Sequence, residues 1–195
     1  MTPSRTQPAP GIRAWGPGVA GASDDGASAA SPVVIIGLGN DIASDDGVGI
    51  HAARRLEIEF SDRDDVDVVA LPWAGFSLLD VLRCREQAVI IDSLVSGTRP
   101  PGSIVRLGMD DLSGSVRLNS FHDINYPTVM DLGRRLGWQM PDDVAIFGVE
   151  TAVTDEFGEA LTPAVAEAVT AVVQEVKQFI EAMDTSTDER VAEPL

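Results

Sequence analysis

Residues 37 to 49 read GLGNDIASDDGVG, a glycine turn that ends on two adjacent acids, Asp45 and Asp46. Paired acids serve a metal, a proton transfer or a helix start. A third acid, Asp92, closes the apolar run Ala88-Val89-Ile90-Ile91, where a strand should leave the core. A carboxylate at that place suits chemistry, and it equally suits a cap on the following loop, Ser93 to Gly97. Histidine is scarce. His122 lies in the polar stretch Asn119-Ser120-Phe121-His122-Asp123, beside a carboxylate, which suits a metal ligand or a proton carrier as well as a structural residue. His51 follows Asp46 by five residues, about 500° around a helix, so it points away and reads as a surface or packing residue.

Other chemistries lack their residues. There is no GxSxG and no HExxH, and Cys84 stands between Arg83 and Arg85 with no histidine that spacing can pair with it. A dinucleotide fingerprint would need a third glycine where Ile42 stands, and an acid after the second strand, which closes Val69-Ala70-Leu71. Gly37 and Gly39 are then a tight strand-to-helix turn. One of Asp45 and Asp46 can cap the next helix. Two acids followed by Gly47 and Gly49 ask for more, because glycine inside a helix costs about 0.5–1 kcal/mol relative to alanine. Close packing of backbone on backbone is the expected reason. Two aspartates and a histidine on separate connections suit a divalent ion such as nickel, zinc or manganese.

The elements that must position these residues alternate. Apolar runs place strands at Val33 to Leu38, Val66 to Leu71, Ala88 to Ile91, Ile104 to Leu107 and Val144 to Val149. Helical spacing places helices at Asp46 to about Phe60, Phe76 to about Arg83, Pro127 to Leu136, and from Thr162-Pro163 to Met183, with Thr162 as a cap. This alternation predicts an α/β protein: a three-layer sandwich with a twisted, mostly parallel five-stranded sheet flanked by helices. Ligands in such sheets sit beyond the carboxyl ends of the strands, where the glycine turn and Asp92 both fall.

Composition bounds the rest. The chain has 195 residues, 44% of them apolar, enough for one folded domain. Its net charge of −17, from 31 acids against 14 bases, argues against a nucleic-acid partner. One cysteine permits no internal disulfide and fits a reducing, cytoplasmic setting. No run approaches the ~20 apolar residues of a membrane span. Residues 1–31, rich in Ala, Gly, Pro and Ser, read as a flexible extension, 32–183 as the single folded domain, and 184–195 as a flexible tail.

Four stretches in order carry a resemblance: GLGNDIASDDGVG, VIIDSLVSGTRPPGSIVRL, the His122 loop and GVETAVTDEFGEALTPAV. Together they resemble the hydrogenase maturation proteases, over about Val33 to Met183. The resemblance implies a phosphorylase/hydrolase-like fold and an endopeptidase, aspartic-type or metal-assisted. Its substrate would be the large-subunit precursor of a nickel–iron hydrogenase, trimmed of its C-terminal extension after nickel insertion. By position, Asp46, Asp92 and His122 would be the metal ligands, with Asp46 and Asp92 catalytic and Asp45 the cap. Nickel would arrive with the substrate, and no tightly bound cofactor of the chain's own is expected, nor more than a monomer. Many family members carry an acid in the turn after the second strand; here that turn reads Leu71-Pro72-Trp73-Ala74-Gly75. Two rivals remain: a nickel-reading maturation chaperone that does not cut, and a peptidyl-tRNA hydrolase, which shares the strand and GLGN but would want a basic face and a Thr-Arg-His-Asn context.

Overall fold

The computed structural model describes residues 31–72, 75–108, 111, 126–152 and 157–191, the last six as backbone. His122, residues 1–30 and the Trp73-Ala74 pair lie outside the described residues. Five strands, β1 (Val33–Leu38), β2 (Val66–Leu71), β3 (Gln87–Leu94), β4 (Ile104–Gly108) and β5 (Asp143–Glu150), form one sheet in the order β2-β1-β3-β5-β4. The first three pairings along that order are parallel, and the edge strand β4 runs antiparallel to β5. The mostly parallel five-stranded α/β architecture expected from the alternation is therefore present.

Side chains leave a strand on alternate faces, and β1 shows why it is apolar throughout. Val33 and Ile35 enter a core with α1 (Val48–Glu59) and α4 (Pro163–Val191). Val34, Ile36 and Leu38 enter a second core with α2 (Gly75–Leu82) and α3 (Tyr126–Arg135). A strand covered on both sides has no solvent face to carry a polar residue. Among the described residues no helix is long and apolar enough to cross a membrane.

Most boundaries fall within a residue of the sequence expectation, and four differences bear on the site or the ends of the domain. The first helix does not begin at Asp46: Ser44–Gly47 form a 3-10 turn, and α1 starts at Val48. The third strand runs past Asp92 to Leu94, because Asp92, Ser93 and Leu94 still pair with Gly148, Val149 and Glu150 of β5. The last helix continues from Met183 to Val191, so residues 184–191 belong to α4 rather than to a separate tail. Arg63 Nη1 bonds Asp184 Oδ2 at 2.9 Å and holds that turn against the body. At the other end Ser31 is already tied in: its Oγ donates to the Asp64 carbonyl, and its own carbonyl accepts from Arg85.

Candidate active site

The sheet order creates the place for a site. From β1 the chain leads to β2 on one side, and from β3 it leads to β4 and β5 on the other. The carboxyl ends of β1 and β3 are thus the point where the winding reverses, the usual crevice of open α/β sheets. Asp46 comes from the turn after β1, and Asp92 from the last turn of β3.

Glycine makes that approach possible. An added Cβ on Gly49 would stand 2.1 Å from the Leu38 carbonyl oxygen and 2.3 Å from that of Ile91. One on Gly37 would stand 2.0 Å from the Gly49 carbonyl oxygen. Helix α1 therefore lies directly against the ends of β1 and β3, as the costly glycine within it suggested. Gly39 has φ +144°, and its missing Cβ would meet the Asp46 carbonyl oxygen at 2.0 Å. Asn40 then closes an Asx-type turn by accepting the Ile42 amide on Oδ1 at 3.2 Å.

Both acids are fully buried. Asp46 Oδ2 accepts the Asn40 amide at 2.9 Å, and its Oδ1 accepts the Ser93 hydroxyl at 2.8 Å. Asp92 Oδ1 accepts the Ser93 amide at 2.8 Å, and its Oδ2 accepts the Tyr126 hydroxyl at 2.9 Å. Ser93 thus joins the two carboxylates, its amide to one and its hydroxyl to the other. Burial, and then the neighbouring Asp92, push the Tyr126 phenol well above the usual tyrosine range, which keeps it a donor. Each carboxylate oxygen accepts at least one fixed hydrogen bond, the arrangement that orients acids for metal or proton chemistry.

Asp45 does something else. It is equally buried but takes Thr162, 117 residues away, through the amide at 2.7 Å and the hydroxyl at 2.9 Å. Neither the 3-10 turn nor α1 has a side-chain cap. Asp45 therefore caps nothing local; it ties the start of α4 to the turn that carries Asp46. Thr162 stands where a cap was expected, with its hydroxyl given to Asp45. His51 is half-buried, so it is a packing residue, one of the two readings its spacing left.

Sequence reasoning singled out Asp46 and Asp92, and the structure brings these two together. It missed Ser93, Tyr126 and Glu150. Glu150 ends β5, fully buried, and accepts the Ser96 amide at 2.9 Å, the Ser96 hydroxyl at 2.7 Å and the Gly97 amide at 2.8 Å. It shapes the loop that follows Asp92. One signal was available: Tyr126 is the only tyrosine in the chain, and a buried phenol needs a partner. Among the described residues no three His, Cys, Asp or Glu form a metal-ligand group; the third candidate, His122, lies outside them. A cavity of about 510 Å³ lies at the opposite end of the sheet, lined by Gln87, Asp143 and Phe179, and has no part in this crevice.

A buried acid pair at the winding reversal of a mostly parallel sheet defines an α/β protein with a carboxylate site. Comparison with known proteins narrows this. A family model described as hydrogenase maturation protease matches residues 50–179, which includes Asp92 and leaves Asp46 just outside. The hydrogenase expression/formation protein HupD of Thiocapsa roseopersicina is 25% identical over 151 residues, 76% of this chain and 67% of that protein. The hydrogenase 2 maturation protease of Escherichia coli is 25% identical over 118 residues, 60% of this chain and 71% of that one. The match to these curated relatives spans about two thirds of their length. Among solved structures, the hydrogenase maturating endopeptidase HybD from E. coli superposes with a TM-score of 0.64 at 21% identity, over 77% of this chain and 93% of that chain. At that identity the likeness speaks for the fold. The chain belongs to the hydrogenase maturation protease family.

Proposed function

We propose that this chain is the endopeptidase that removes the C-terminal extension of a nickel–iron hydrogenase large-subunit precursor once nickel is in place. One observation carries the reading. Two fully buried aspartates, from segments 46 residues apart, share a serine at the winding reversal of a sheet whose family is a protease family. Burying two acids side by side is costly unless something needs them there.

Asp46, Asp92 and His122 are the residues we assign to the substrate's nickel. Asp46 is held from β1 by the Asn40 amide, and Asp92 from β3 by the Ser93 amide and the Tyr126 hydroxyl. Carboxylates and an imidazole suit such an ion. One carboxylate also has the chemistry of a general base toward a water attacking the scissile carbonyl. The chain needs no resident metal on this reading, since the ion is part of what it recognises. Incubation with a nickel-loaded precursor, followed by mass measurement of its C-terminus, tests the proposal. Loss of the extension is expected. Tight binding with an intact C-terminus would instead make the chain a maturation chaperone.

A further inference from the structure

Beside the acid pair, the turn after β1 presents an apolar surface. Ala43 and Gly158 form an isolated parallel bridge. The Gly158 amide donates to the Ile42 carbonyl at 2.9 Å, and the Ser44 amide to the Gly158 carbonyl at 2.7 Å. Across this bridge Ala43 is buried, whereas its neighbour Ile42 and Phe157 of the facing segment are both exposed. Ile42 is 53% exposed and Phe157 91%. Single exposed apolar residues need no explanation. This pair differs because its backbone is fastened. Ser44 takes φ +51°, a conformation that costs a non-glycine residue about 1 kcal/mol, and its Oγ bonds the Ala160 carbonyl at 3.0 Å. Asp45 holds Thr162 through two bonds. Every anchor comes from the segment that also carries Asp46. Gly158 has open space where a Cβ would be, so another backbone can come close.

We propose that Ile42 and Phe157, on their fastened backbone, form an apolar lip that seats an apolar side chain of the protein substrate beside its scissile segment. The inference rests on the protease reading above. The occupant follows from continuity: Ile42 is two residues from Asn40, whose amide holds Asp46, so the lip borders the acid pair that the scissile segment must approach. A backbone already fastened in the free protein loses little entropy on docking. Ile58, Phe76 and Leu136 are also exposed, but none of them stands on the turn that carries Asp46.

The test compares Ile42→Ser, Phe157→Ser and the double variant on the nickel-loaded large-subunit precursor. Each single change should raise KM about tenfold, the scale of one apolar side chain left unburied, while kcat stays within about twofold. Kd for the same precursor, measured in the cold over a time in which no cleavage occurs, should weaken in parallel. Phe157→Leu should restore most of the loss. Ile58→Ser, which removes an exposed apolar residue from the far end of α1, is the control. Unchanged KM and Kd overturn the lip. So does a fall in kcat alone, which would make these residues supports of the acid site. Wild-type dimers that the double variant breaks would make the patch a self-interface and overturn it too. A wild-type chain that binds the precursor without cutting it sinks the protease reading instead, and the Kd series then decides the lip by itself.

Discussion

At the scale of the residue, the arrangement around Ser93 separates two roles that adjacent acids could share. Asp46 and Asp92 meet at Ser93, whereas Asp45 turns to Thr162. Asp46→Asn and Asp92→Asn should each cut precursor processing about 100-fold or more, the scale of lost acid–base or ligand function, with the fold kept. Their losses should not add, because either change already spoils the site. Asp45→Asn is the control. The amide can still accept from the Thr162 N–H and donate to its hydroxyl, so activity should fall much less. Near-normal processing by folded Asp92→Asn protein would remove the assignment. Tyr126→Phe tests the positioning of Asp92. It should lose about 1 kcal/mol of stability, as for one buried hydrogen bond, and about tenfold in processing, as for an orienting partner. A stability loss with full activity would leave the phenol a purely structural group.

At the scale of the element, helix α1 is held against the sheet by absent side chains. Gly49→Ala places a methyl group within 2.3 Å of two carbonyl oxygens that belong to strands and cannot step aside. The cost should be about 3 kcal/mol or more, at the upper end of overpacking, seen as a lower urea midpoint or loss of soluble protein. Gly158→Ala, with nothing near, should be silent for stability. Helix α1 also brings a pH dependence through His51. Burial first, and then Arg54, lower the His51 pKa below its ordinary 6.5; Arg55 acts in the same direction, and Asp41 and the Glu159 backbone oppose. With the folded value depressed, the unfolded chain takes up the proton first as pH falls. Stability from this group is therefore intact above about pH 6.5 and declines below it. The urea midpoint of the wild type should fall between pH 7.5 and 5.5 by more than that of His51→Gln. Parallel falls would assign the effect elsewhere.

At the scale of the whole molecule, the reading makes the substrate a folded, metal-loaded protein. On that reading the ion is part of what the chain recognises, and Ser93 links the two acids by donating its hydroxyl hydrogen bond to Asp46. A short metal-free peptide spanning the cleavage junction should therefore remain uncut under conditions that process the loaded precursor. Efficient cleavage of that peptide would contradict the use of substrate nickel. Residues 1–30 offer little to bury. A chain beginning at Ser31, which keeps the bonds to Asp64 and Arg85, should melt within error of the full chain. A clear drop in Tm would show that the extension packs on the domain.

The sequence by itself determined the layers, because the two periods that make strands and helices are local properties. Val33–Leu38 is apolar at every position since both faces are covered, and that can be read without knowing what covers them. Asp46 and Asp92 were singled out by their places in the motifs that resemble the family, since an acid in a turn or at a strand end can equally be a cap. Only the tertiary structure decided which neighbour each acid would take. The Asp45–Thr162 tie spans 117 residues, and no local pattern distinguishes Asp45 from Asp46. The reach of β3 beyond Asp92 was hidden for the same reason: polar Ser93 ends the apolar run, yet pairing with β5 carries the strand to Leu94. The glycines lie between these cases. Their cost inside a helix was visible in the chain, but the carbonyl oxygens of Leu38 and Ile91 that require them come from two strands far apart in sequence. Contacts of that kind are set by how the sheet winds, and winding is a property of the folded chain.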